Sequence, residues 1–117
     1  MSRLKNLFKR NGNKLIVFIT AGFPKKESTK DLVLEAIEAG ADMIEIGIPF
    51  SDPQADGPII QKANEIALSN GISLPIIFDQ VRSIRKKTDI PIALMGYYNP
   101  ILAYGIDNFL NDCKLLK

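Results

Sequence analysis

The spacing of apolar residues changes repeatedly along the chain, and each change marks an element. Leu15–Thr20 is an almost continuous apolar run, as expected of a strand buried on both faces. Ala21-Gly22-Phe23-Pro24 breaks it. Helical spacing follows. Ser28 or Thr29 caps a helix to about Ala39, with Leu32, Val33, Ala36 and Ile37 on one side and Gly40 just beyond its end. Met43–Ile48 returns to strand spacing. After a loop stiffened by prolines, Ile59–Ser69 predicts a helix ending near Asn70-Gly71. Ser73 opens another, with Ile76, Ile77, Val81 and Ile84 inward. Arg82, Arg85, Lys86 and Lys87 lie near its C-terminus, where cations suit the helix dipole, and read as a solvated face. Pro91 precedes a third strand, Ile92–Gly96, and Ile106–Leu116 is a last amphipathic helix. At the front, Met1–Lys14 is basic, with Leu4, Leu7 and Phe8 at i, i+3, i+4 spacing. A short helix is the preferred reading there; a targeting presequence would be richer in serine.

Strands alternating with helices indicate parallel βαβ units and an α/β fold. Pattern alone leaves a doubly wound sheet and a (β/α)₈ barrel both open. No repeat, low-complexity stretch or linker divides the 117 residues, which fit one small domain. Composition changes the picture little: 46% hydrophobic and 24% charged residues describe an ordinary globular protein. The formal net charge of +2 is too small to point to nucleic acid, although seven Lys or Arg residues precede Glu27, the first acidic one. Cys113, the single cysteine, cannot form an internal disulfide, which suits a reducing cytoplasm. No apolar run approaches the ~18 residues a membrane span needs. With no histidine, imidazole catalysis and the usual His-containing zinc sites are excluded.

The candidate chemistry is concentrated in Met43–Pro58. Side chains alternate along a strand, so Met43, Glu45 and Gly47 share one face and Ile44, Ile46 and Ile48 the other. The isoleucines should meet packed helices, which aims Glu45 the opposite way. A carboxylate on a buried strand face is costly unless it is paired or reached by water or ligand, and no Lys or Arg nearby in sequence stands out as its partner. Asp52-Pro53 and Asp56-Gly57 are turn-forming pairs. That structural reading suffices for Asp52.

The run Glu45-Ile46-Gly47-Ile48-Pro49-Phe50-Ser51-Asp52-Pro53-Gln54-Ala55-Asp56-Gly57-Pro58 follows Thr20-Ala21-Gly22-Phe23-Pro24 and precedes Leu94-Met95-Gly96-Tyr97-Tyr98-Asn99-Pro100. Together, collinearly, these closely resemble the α subunit of tryptophan synthase. The resemblance selects the barrel. Such barrels typically take ~250 residues, so residues 1–117 read as the N-terminal part of a single TIM-barrel domain. That part holds the first three β/α units, with the N-terminal helix closing the bottom. A third strand left without a neighbour would present an apolar edge. A fragment, a truncated gene product and one piece of a split protein all fit.

By the same resemblance, the activity implied is retro-aldol cleavage of indole-3-glycerol phosphate to indole and glyceraldehyde 3-phosphate. Glu45 would be the general acid and base, and Asp56 would face the ring nitrogen, where positive charge grows. Phe18, Met95 and Tyr97 would line the indole pocket, Tyr97 at the C-terminal mouth where barrel sites lie. The phosphate-binding loops and the lid would belong to the family's C-terminal half. The implied partner is a β subunit in an α₂β₂ complex, contacted through the loops Pro49–Pro58 and Asn99–Tyr104. Pro49, Asp52, Pro53, Asn99 and Pro100 are the interface candidates. No cofactor is expected on this chain; pyridoxal phosphate would sit on the β subunit. Two rivals stay open: an inactive remnant that only binds the β subunit, and another barrel lyase or isomerase acting on a phosphorylated substrate. Glu45 and Asp56 within the full loop motif argue against the latter.

Overall fold

The computed structural model describes residues 2–117; Met1, where the basic segment begins, lies outside them. The elements run α1 (Arg3–Lys9), β1 (Ile16–Thr20), α2 (Ser28–Glu38), β2 (Met43–Gly47), α3 (Pro58–Ser69), α4 (Leu74–Arg85), β3 (Ile92–Met95), α5 (Tyr98–Tyr104) and α6 (Ile106–Leu115). Among the described residues the strands form one parallel sheet in the order β1-β2-β3. Phe18 is in register with Glu45, and Glu45 with Ala93.

The two faces of this sheet differ in the way the alternation requires. Ile44 and Ile46 are fully buried and join Val33, Ile77, Phe78 and Ile84 in the core. Helix α2 packs on α4 and against β1 and β2, and α3 against β1. Glu45 points to the opposite face, which the helices leave open. There the expectation that the first strand is buried on both sides fails: Ile16 is 42% and Phe18 37% exposed. A single sheet covers one of its faces with helices, and nothing among the described residues lies across the other.

Helix α1 lies across the N-terminal ends of the strands. Leu7 is buried, Arg3 pairs with Asp89 at 2.8 Å and Arg10 with Asp42 at 3.4 Å. Asp42 and Asp89 stand shortly before β2 and β3, and Asp42 Oδ2 also accepts the Leu15 N–H at 2.9 Å. The ion pairs are exposed and add little stability; they fix where the helix sits.

Four local expectations are corrected. Neither Ser28 nor Thr29 caps α2: Ser28 is its first helical residue, and its Oγ accepts the Lys25 N–H at 3.2 Å. Thr29 Oγ1 accepts the Gly22 N–H at 2.9 Å from a buried position, and the cap residue Glu27 makes no side-chain bond to the helix. Gly22 itself has φ +78°, and a Cβ there would come within 2.7 Å of Ile72 Cβ, so only glycine suits this turn. Leu32, placed on the inward side of α2, is 39% exposed because the buried stripe centres on Val33. Asn99–Tyr104, read as loop, is helical. Pro100 is its third residue, in the first turn, where no intrahelical N–H bond is required. Arg85 does not belong to a solvated face: it is half-buried and donates Nε to the Leu116 carbonyl at 2.9 Å and Nη1 to the Ile90 carbonyl. It thereby ties α6 and the β3 approach to α4. Phe78, with ring centroids 5.6 Å from both Tyr104 and Phe109, completes that seam.

Candidate active site

A strand that ends in Gly47 and a strand that ends at Met95 release their loops side by side. The Ile48 N–H still reaches the Met95 carbonyl at 2.7 Å, which carries the β2–β3 pairing one residue further. The β2–α3 loop then turns outward through its prolines, and Pro58 opens α3 at the first helical position that proline favours. These constraints bring Asp56 back over the mouth of the sheet. Tyr97, just past β3, meets it there.

The contact is two-sided. Tyr97 Oη donates to Asp56 Oδ2 at 3.0 Å and accepts the Ala55 N–H at 2.9 Å. Its ring lies 5.4 Å from that of Phe50. Partial burial, together with the hydrogen bond to the Asp56 carboxylate, pushes the phenol above its usual range. The proton therefore stays on Tyr97, and the donor role persists across neutral pH. The second Asp56 oxygen enters no hydrogen bond among the described residues.

Asp56 and Tyr97 line a cavity of about 180 Å³ with Phe18, Gly47, Ile48, Ala55, Ile60, Asn64, Met95 and Gly96. Its walls are mostly apolar, with Asp56, Asn64 and Tyr97 as the polar members. Gly47 is part of the shape: a Cβ there would lie 2.5 Å from Phe18 Cζ, so the bare backbone gives the phenyl ring its place. Of the pocket residues expected from sequence, Phe18, Asp56, Met95 and Tyr97 are thus brought together. Glu45 is not on this lining. It sits on the same face of β2 two residues before Gly47, half-buried, beside Phe18 in register. No ion pair or side-chain hydrogen bond holds it among the described residues.

The interface candidates fall elsewhere. Pro49 is buried, and with Phe50, Asn99, Pro100 and Tyr104 it lines a second, larger cavity of about 570 Å³ under α5. Asp52 and Asn99 are exposed, Pro53 and Pro100 half-buried. Asp52 Oδ2 accepts from Gln54 Nε2 at 3.1 Å within its own turn, in keeping with the structural reading of that residue. The sequence reading did not single out Ile60 or Asn64. The available signal was Asn64 standing among Ile60, Ala63 and Ala67 on the buried face of α3. No group of three or more His, Cys, Asp or Glu side chains converges as a metal site among the described residues, and none of their helices is long and apolar enough to cross a membrane.

The family profile described as tryptophan synthase alpha chain matches residues 4–116. The tryptophan synthase alpha chain of Petrotoga mobilis is 53% identical over 112 residues, covering 96% of this chain and 43% of the relative. That of Geotalea uraniireducens is 54% identical over 107 residues, covering 92% and 40%. The crystal structure of the Legionella pneumophila subunit alpha superposes with a TM-score of 0.93 at 41% identity, covering 99% of this chain and 46% of that one. A chain of the tryptophan synthase complex from Pyrococcus furiosus gives 0.81 at 47% identity, covering 88% and 42%. The chain therefore spans about half the length of the relatives it matches.

Proposed function

The chain belongs to the tryptophan synthase alpha chain family, and on that premise we propose that the full barrel cleaves indole-3-glycerol phosphate to indole and glyceraldehyde 3-phosphate. Its three strands are then the first part of a TIM barrel, and its site is the C-terminal mouth of that part.

The bond to be broken joins ring carbon C3 to the hydroxyl-bearing carbon of the side chain. Protonation of C3 makes the ring an electron sink. Loss of the hydroxyl proton then lets the C–C electrons return to the ring as the aldehyde forms. In this reading the Glu45 carboxyl group supplies the first proton and accepts the second, so it ends as it began. Positive charge accumulates at the ring nitrogen in between. The free Asp56 oxygen faces that charge, while its other oxygen is held by Tyr97. The observation that carries the reading is two carboxylates at one open face of the sheet: an unpartnered Glu45, on the same face of β2 as the cavity residue Gly47 but outside the lining, and a tethered Asp56 on that lining. The rival of a barrel acting on a different phosphorylated substrate explains the carboxylates less well.

The released indole would pass to a β subunit, which would carry pyridoxal phosphate. Docking would use the β2–α3 loop and the start of α5, the segments that carry the exposed Asp52 and Asn99 and the half-buried Pro53. The test of catalysis is turnover of indole-3-glycerol phosphate by Glu45→Gln and Asp56→Asn in the full-length barrel. Each should fall by about 10²–10⁴-fold with the circular dichroism spectrum unchanged. Near wild-type rates in either variant would remove that residue from the mechanism.

A further inference from the structure

Asn64 is 5% exposed, on the face of α3 that packs toward the sheet. Three other carboxamides donate to backbone carbonyls: Gln61 to that of Asp56, Asn70 to those of Gly22 and Pro24, and Gln80 to that of Lys26, although the Gln80 Oε1 is itself buried without a partner. The Asn64 carboxamide has no such partner among the described residues. Nor is it sealed in, since its side chain borders the same cavity as Asp56 and Tyr97. A polar group that borders a cavity can exchange water for a ligand partner at little cost, whereas a ligand that offers it nothing leaves it unpaired. The remaining walls are Phe18, Ile48, Ala55, Ile60 and Met95 with two glycines, none of which offers a side-chain hydrogen bond. Asp56 and Tyr97 already face each other. Asn64 is thus the neutral polar group left facing the ligand space.

We propose that Asn64 is a specificity-determining residue whose carboxamide hydrogen-bonds a neutral polar group of the bound substrate. The proposal rests on the reading of the site as one for an indole carrying a glycerol phosphate chain. Such a molecule offers two sources of a neutral donor, the ring N–H and the chain hydroxyls. Asn64 Oδ1 accepts from either, and a hydroxyl can also take a hydrogen bond from Nδ2.

The test uses the full-length barrel with Asn64→Leu, which keeps size and removes polarity, Asn64→Ala as a second deletion, and Asn64→Ser, which restores a hydrogen-bonding group. Folding is checked by circular dichroism. KM for indole-3-glycerol phosphate should rise roughly ten- to a hundredfold in the folded deletion variants, with kcat changed far less and with partial recovery in Asn64→Ser. Calorimetric binding of free indole separates the sources. If indole also binds more weakly, the ring N–H is the partner and Asn64 shares it with the Asp56 oxygen; if indole is unaffected while KM rises, a chain hydroxyl is. An unchanged KM in a folded deletion variant, with unchanged indole affinity, overturns the proposal, because water alone would then satisfy the amide. A wild-type barrel that binds indole but does not cleave the substrate would sink the catalytic reading instead; weaker indole binding in the deletion variants would then still support the role of Asn64, and unchanged binding would overturn it.

Discussion

Tyr97 shows how much of this site hangs on one hydroxyl. It orders a carboxylate and a loop N–H that are 41 and 42 residues away in sequence. Its raised pKa also gives a definite pH signature. The folded state keeps the phenol proton at a pH where the unfolded chain has begun to lose it, so above about 10 the folded state binds more protons. The contribution is fully present below the ordinary phenol pKa and is lost as pH rises through the higher folded value. Removing the hydroxyl with Tyr97→Phe keeps the ring against Phe50. It should flatten this decline, which urea midpoints measured between pH 8 and 11 would reveal. It should also lower turnover several-fold in the full barrel, since Asp56 loses its tether. An unaltered pH dependence of stability would mean that the hydrogen bond is not maintained in solution.

At the scale of elements, the informative pieces are those in which proline sits at the front of a helix. Pro58 and Pro100 both occupy a first turn, and the loop between β2 and α3 carries Pro49 and Pro53 as well. Such loops have little backbone freedom to lose on binding. If the β2–α3 loop docks on a β subunit, Pro53→Gly should weaken that complex by about three- to tenfold and leave cleavage by the isolated full barrel nearly unchanged. Titration calorimetry against the β subunit, with cleavage assayed in parallel, decides it; equal affinities would take the loop out of the interface. The opposite lesson comes from α4. Its C-terminal cations looked uniform in sequence, yet Arg82 pairs with Asp79 at the surface while Arg85 is turned inward to two carbonyls. Which cation faces inward depends on what α6 brings beside it.

The whole molecule presents a sheet finished on one side only. Ile16, Phe18 and Met95 lie exposed, and β1 and β3 are both edges of the sheet among the described residues. Apolar exposure beside unpaired strand edges drives association. The 117-residue polypeptide prepared alone should therefore form oligomers or aggregates at micromolar concentration and show no cleavage activity. Sedimentation velocity over a range of concentrations tests this; a monodisperse monomer that turns over substrate would refute it.

Sequence alone determined the local periodicities, and with them the strand and helix order, the inward parity of Glu45 and the buried isoleucines of β2. Those follow from geometry within a few residues, where side-chain alternation and helical spacing leave little choice. The motif from Glu45 to Pro58 also carried the family. Tertiary structure decided the rest. It made α5 a helix, since proline is compatible with both a loop and a first turn. It turned Thr29 from cap to buried hydrogen-bond acceptor and left the inner face of β1 open. It joined Tyr97 to Asp56, and it set Asn64 against a cavity with no protein partner. Each of these depends on which groups meet across the chain, and spacing along it holds no record of such meetings.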